Sequence, residues 1–248
     1  MDSFDHMAPQ SPSVTGRIGS RGATALTYPT TRTANRTVQR GGEPTSAPES
    51  EAPSLRRRNH GAADPVTITI EHVITGPTAE VLCDMQLASF EPLETLAIQK
   101  QTDSRDDLLH MFASPDFTKV VAWQSGHPIG LGVLTNVLEC IPEISPQFLR
   151  TRYPQQAARN AIYVGIYVTV AEPHRGITLF SRLSTEMWNI PARAGGVLVF
   201  DMCEFNRTMF AAEQVAEQVA SVFPRSSVST IDRQTWMAAE LPEPIPER

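Results

Sequence analysis

Residues 161–183 read AIYVGIYVTVAEPHRGITLFSRL, and the parsing of this stretch decides the fold. From Ile162 to Val170 every second residue is apolar and β-branched (Ile162, Val164, Ile166, Val168, Val170), with Tyr163, Gly165, Tyr167 and Thr169 between them. Such period-two alternation predicts a strand with one dry face and one mixed face. After the turn Ala171-Glu172-Pro173-His174-Arg175-Gly176 the period becomes helical, with Leu179, Leu183 and Met187 four apart and Phe180 beside them. A buried strand that runs through a short basic loop into a helix aims unpaired backbone N–H groups, and the positive end of the helix dipole, at the strand's end. That place suits a phosphate.

Upstream, residues 119–124 and 129–138 are apolar runs joined by Ser125-Gly126-His127-Pro128, which predicts a β-hairpin with His127 as a solvated turn residue. Before it, residues 66–70 predict a short strand. Pro77 then starts a helix with Val81, Leu82, Met85 and Ala88 inward, interrupted by Pro92. Ser104 with Asp107 predicts a capping box for a second helix, facing the core through Leu108, Leu109 and Phe112 and ended by Pro115. Between the hairpin and the central strand, residues 139–160 hold Pro142, Pro146 and Pro154, the acidic pair Glu139 and Glu143, and the basic cluster Arg150, Arg152 and Arg159. They predict a long irregular loop, either a wall for an acceptor substrate or a plain surface connection.

Downstream, Pro191 and Gly195-Gly196 close the helical run, and residues 197–200 form a strand too apolar to lie at an edge. Asn206 reads as the N-cap of a helix over 208–222 that packs Met209, Val215, Val219 and Val222 inward. Residues 235–241 predict a last strand that closes the sheet.

Hydrophobic residues are 41% of the chain but scarce before Val66. Residues 1–64 cannot bury enough apolar surface to offset their ordering entropy and are predicted to be a disordered tail. The globular domain then covers 65–241, with a short tail at 242–248. Residues 1–65 hold eight Arg against six Asp and Glu, a balance of +2, which leaves −8 for the rest of a chain whose total is −6. An acidic domain is a poor nucleic-acid binder, and Arg56-Arg57-Arg58 reads as part of a solvated tail. No apolar run reaches the ~20 residues of a membrane span, and the N-terminus lacks a secretory core. Cys83, Cys140 and Cys203 are odd in number and have no metal-ligand spacing, so no metal site is expected and reduced thiols in a cytoplasmic protein are. Cys203 as a nucleophile is the weaker reading.

The run Val170-Ala171-Glu172-Pro173-His174-Arg175-Gly176-Ile177-Thr178-Leu179-Phe180-Ser181-Arg182-Leu183 resembles, without a gap, the central motif of the GNAT superfamily of N-acetyltransferases. In that family the fourth strand ends in Val, then an aromatic or His, then Arg-Gly-x-Gly-x-Gly/Ala and a helical Leu. Here the second glycine is Thr178 and the final Gly/Ala is Phe180. Ile129-Gly130 matches the family's third strand, and the order of elements over about 175 residues matches the family. The resemblance implies a mixed α/β fold (α+β), with a mostly antiparallel central sheet flanked by helices. It also implies acetyl-coenzyme A, or another acyl-CoA, as co-substrate. Val168, Thr169 and Val170 would then meet the pantetheine arm; His174, Arg175, Gly176, Ile177 and Thr178 the pyrophosphate; and Asn206 the arm again.

Acyl transfer to an amine needs a polarised carbonyl and an acceptor nitrogen freed of its proton. A strand interruption at Gly165 would supply main-chain N–H groups to the oxyanion, although Gly165 could equally serve packing. Candidate acid–base residues are Glu139, Tyr167 and Glu204, with Glu143 and Tyr163 as further options. A Tyr seven residues past the family's Asn would protonate the thiolate, yet Glu213 stands there and no Tyr follows residue 167. The expected function is transfer of an acetyl or other acyl group to a primary amine of a small molecule by direct attack. Its partners would be that amine and, as an option, a second copy in a homodimer, without nucleic acid or membrane. Two alternatives stand beside it: a non-catalytic binding or regulatory module, and an acyltransferase using a longer acyl donor or an acyl-carrier protein.

Overall fold

A computed structural model describes residues 64–99 and 102–240. The predicted disordered tail, apart from Asp64, and the C-terminal tail lie outside these residues. Five strands form one sheet in sequence order: β1 (Thr67–Glu71), β2 (Thr118–Gln124), β3 (His127–Thr135), β4 (Ile162–Val170) and β5 (Val197–Val199). The first three pairings are antiparallel and β4–β5 is parallel. β5, expected away from an edge for its apolar sequence, is an edge strand and only half-buried, because helices rather than a further strand flank it. The result is a mixed α/β fold with a mostly antiparallel sheet flanked by helices.

The hairpin turns on Ser125 and Gly126, both at positive φ (51° and 77°), a conformation that relieves strand twist and that Gly adopts without penalty. One face of the sheet carries α1 (Pro77–Phe90) and α2 (Arg105–Ala113). Ser104 caps α2 by accepting from the Asp107 N–H at 3.2 Å, and the box is not completed as expected: the Asp107 carboxylate accepts from the Ser104 hydroxyl at 2.7 Å rather than from its backbone N–H. On α1 the buried face is Leu82, Cys83, Met85, Gln86, Ser89 and Phe90. Val81 and Ala88, expected inward, are exposed; the helix is rotated toward a more polar stripe. Lys119 of β2 is also sealed on this side, its Nζ donating to the carbonyls of His72 (2.8 Å) and Ser114 (2.5 Å). Desolvation lowers its pKa to about 8, against an opposing pull from Asp116.

The opposite face carries α5 (Ile177–Arg193), which runs through Pro191 and ends before Gly195 at φ 57°. Leu179, Phe180, Leu183 and Met187 are buried, as the sequence spacing requires. The helix sits close because β3 offers glycines. A Cβ on Gly130 would lie 2.6 Å from Leu183 Cδ1, and one on Gly132 would overlap Met187 Sδ.

Several expectations are corrected. Residues 139–160 are not irregular throughout: α3 (Pro146–Arg152) and α4 (Pro154–Ala157) occupy them. Two of the prolines that suggested a loop sit in the first turn of these helices, where Pro loses no hydrogen bond, and Ser145 caps α3 by accepting from the Phe148 N–H at 3.2 Å. The helix expected over 208–222 is two, α6 (Glu204–Met209) and α7 (Ala212–Ala220), broken where Ala211 takes φ 47°. The break resets the helical phase, so Ala212, Ala216, Val219 and Ala220 are inward while Met209 and Val222 are 62% and 61% exposed. Cys203, rather than Asn206, occupies the N-cap of α6. The closing strand is not formed in 235–240: residues 227–240 carry no regular structure, and Trp236 and Met237 are exposed.

Candidate active site

The strand predicted over 162–170 forms with those limits, but its alternation does not hold throughout. Val133 of β3 pairs with Tyr167 and the next residue, Leu134, pairs with Gly165, so Ile166 is an extra residue in a β-bulge. The bulge falls one residue past the expected position. Before it, Ile162, Val164 and Ile166 pack on the α1 side; after it, Val168 and Val170 pack on the α5 side, and Tyr167 takes the α1 side. The single dry face expected from the sequence is therefore split between two cores.

The same point marks a divergence. β4 pairs with β5 only at Ile162–Val197, Tyr163–Leu198 and Val164–Val199. From Gly165 onward the edge of β4 turned away from β3 has no strand partner among the described residues. Between the two strands and α5 and α7 lies an apolar cavity of about 60 Å³, lined by Gly165, Val168, Phe180, Met187, Phe200 and Val215 among others. Phe180 is thus a core side chain on the cavity wall. The volume suits roughly four to six water-sized groups at 10–15 Å³ each.

At the far end of β4 the loop makes a 3-10 turn, Glu172–His174, with the His174 N–H bonded to Ala171 O (2.9 Å) and the Arg175 N–H to Glu172 O (3.2 Å). The following helix has no side-chain cap. Gly176 precedes it in extended backbone, and a Cβ there would meet nothing within 4 Å. His174 and Arg175 are half-buried, Thr178 is exposed, and Arg175 Nε is buried without a hydrogen-bond partner among the described residues. Open space, uncapped N–H groups and an unspent guanidinium nitrogen fit a phosphate-bearing ligand. Val168, Thr169 and Val170 are buried beside this loop on the free stretch of β4, where a ligand's amides could pair with backbone.

The acid–base candidates separate. Glu139 is exposed and ion-paired with Arg150, which holds its carboxyl below the usual range. Glu204 is likewise exposed, its carboxylate gripped by Arg207 through Nε at 2.7 Å and Nη2 at 2.6 Å, and its pKa is lowered. Both are poor proton acceptors near neutrality. Glu213, also exposed, faces Arg207 at 3.6 Å and Arg233 at 3.9 Å. Tyr167 does stand at the bulge, but burial keeps its pKa well above the usual range, with the charge of Asp103 adding to it. It stays a neutral phenol.

Asp201, which the sequence did not single out, has the properties the glutamates lack. It follows β5, where Phe200 turns to the cavity and the flanking Val199 and Cys203 pack on the α1 side. Alternation places Asp201 on that same side. Asp201 is exposed as the glutamates are, but it has no ion-pair partner among the described residues, and the desolvation by the protein packed around it lifts its pKa to about 6, with Glu143 of the inserted segment adding to the rise. A single Asp at a strand end carries no sequence signal of its own; its meaning comes from where β5 leaves β4.

Asn206 is buried in the first turn of α6, whose Phe205 and Asn206 N–H groups point at Cys203 sulfur. Burial nonetheless raises the Cys203 pKa, so it is not an activated thiolate; Cys83 is pushed up to about 11 for the same reason. Among the described residues no group of three or more His, Cys, Asp or Glu converges on a metal position, and no helix is long and apolar enough to cross a membrane.

No protein-family model matches the sequence, and no curated protein matches it. Among solved structures the chain is similar to a ribosomal-protein-alanine N-acetyltransferase from Brucella melitensis biovar Abortus 2308. The two share 14% identity over 71% of this chain and 100% of that one, with a TM-score of 0.41.

Proposed function

We propose that the chain is an acyl-coenzyme A-dependent N-acyltransferase that moves a short acyl group to the primary amine of a small molecule. The observation that carries this reading is the parting of β4 from β5 after Val164, beside the bulge at Ile166 and ahead of an uncapped helix start. A pantetheine arm would enter the parted strands along Val168, Thr169 and Val170. Its pyrophosphate would rest on the backbone of His174, Arg175, Gly176, Ile177 and Thr178, and Asn206 would meet the arm from α6. The cavity's modest size favours an acetyl-sized group over a long chain.

In the mechanism, main-chain N–H groups at the bulge donate to the carbonyl oxygen as negative charge builds there. Asp201 takes a proton from the acceptor's ammonium, directly or through one water; the neutral amine then attacks the thioester carbonyl, and the C–S bond breaks as the tetrahedral intermediate collapses. A carboxylate poised near 6 is ionised at neutral pH yet retains basicity. With no Tyr after residue 167 to do so, water protonates the thiolate.

Calorimetric titration of the full chain with acetyl-coenzyme A tests the reading, repeated with Arg175→Ala plus Thr178→Asp. Micromolar binding that the double variant loses is expected. No heat with acetyl-CoA or longer acyl-CoAs sinks it and favours the non-catalytic module.

A further inference from the structure

The core under α1 contains polar atoms that a purely structural core would not keep. Gln86 is 0% exposed, and neither Oε1 nor Nε2 has a hydrogen-bond partner among the described residues; Tyr167, 1% exposed, has none for its hydroxyl. Both are buried on the α1 side of the sheet. The Phe90 ring stands 5.8 Å from the Tyr167 ring, edge-on at 70°, and Gln86 lies one helical turn before Phe90 on the same face of α1. The next residue pair along fixes the register: Thr169 Oγ1 donates to Ser89 Oγ at 2.6 Å. Asp103, 5% exposed, is close enough for its charge to act on Tyr167. Tyr167 in turn adjoins the bulge and borders the cavity.

Buried donors and acceptors without partners are costly, and replacing them by apolar groups of similar shape is neutral or stabilising. Their persistence beside the reacting position indicates atoms reserved for a ligand. Gln86 offers a paired donor and acceptor, the complement of an amide or a hydroxyl. Asp103 sets the charge preference, since an entering carboxylate would meet a like charge in a low-dielectric setting and an ammonium an opposite one.

We infer that Gln86 and Tyr167 form the acceptor's recognition subsite, and that the acceptor is an amine bearing an uncharged amide or hydroxyl near its nitrogen rather than a carboxylate. The subsite rests on the transferase reading for its role as the acceptor's place. Both side chains are sealed in the ligand-free chain, so occupancy requires Gln86, with its three rotatable bonds, to swing or α1 to shift.

Three measurements on the full chain test it. First, thermal melts without ligand: Gln86→Leu and Tyr167→Phe should each raise Tm by about 2–4 °C, the shift expected of a modest stabilisation in a domain this size. A fall of that size would show that both groups are bonded within the ligand-free core and would overturn the inference. Second, calorimetry with glycinamide, ethanolamine and glycine, no acyl donor present: the first two should bind at least tenfold more tightly than glycine, and Gln86→Leu should abolish the difference. Equal binding of glycine, no binding of any, or indifference to the substitution would overturn it. Third, acetyl-CoA titration of Gln86→Leu: unchanged donor affinity is expected, and its loss would mean that the residue only supports the fold. Donor binding without amine selectivity removes the subsite alone. Selective amine binding without donor binding removes the transferase reading alone.

Discussion

The two faces of this sheet are built on opposite economies. On the α5 face Leu183 and Met187 drop into the spaces left by Gly130 and Gly132, and the buried side chains of α5 are aliphatic and aromatic apart from Ser184. On the α1 face Gln86, Ser89, Thr102, Asp103, Lys119, Tyr167 and Thr169 are interleaved with Leu82, Phe90 and Phe112. Close packing without polar atoms maximises stability, whereas buried polarity gives it up locally. Buried polarity thus concentrates on the α1 face, while the α5 face is the sheet's apolar backing and carries the cavity.

The comparison breaks most visibly at Asp201. Asp201→Asn should lower kcat by about 10²–10⁴-fold, the usual span for a lost general base, with little change in melting temperature. Because the base works only when deprotonated, wild-type kcat/KM should rise with pH through about 6 and the variant should lose that limb. A pH–rate profile unchanged in shape would clear Asp201 of the role. On the backing face the effect is on folding. Gly132→Ala should destabilise by about 1–3 kcal/mol, because Met187 must leave its rotamer, as read by urea denaturation.

A subtler test uses Lys119. Its folded pKa, about 8, lies below the ordinary 10.5, so the folded state binds fewer protons between those values and stability should rise as pH climbs from 8 toward 10.5. Below about 8 both states are protonated and the penalty is constant. Lys119→Met should flatten that rise in paired urea melts at pH 7.5 and 9.5. Smallest of all, Glu139→Gln and Glu204→Gln should alter turnover less than about twofold and leave the urea midpoint nearly unchanged, since each removes only a solvent-exposed ion pair. A tenfold loss in either would return that glutamate to the mechanism.

Local signals carried much of the fold. The limits of β4, the loop into α5, the hairpin turn, the Ser104 cap and the Pro77 start are written in neighbouring residues and were legible. What was not legible depends on distant partners. The bulge at Ile166 follows from how β4 registers against β3, and it moved Tyr167 across the sheet. The break at Ala211 and the unpaired 227–240 segment reflect tertiary context overriding propensity. Pro146 and Pro154 were ambiguous, since the same residue that breaks a helix also begins one. For the site, the loop residues 174–178 could be proposed from a motif. Asp201, Gln86 and Asp103 sit on three separate segments, and nothing in their own neighbourhoods singles any of them out.

The brevity of β5 has a consequence for how the chain behaves in a crowd. Its outer edge has no partner among the described residues, and Val197, Leu198 and Val199 carry none of the charges or prolines that usually guard such an edge. An adhesive β-template needs about six or seven consecutive residues. With only three, the edge is too short to recruit a foreign strand, and length alone does the work of a gatekeeper residue.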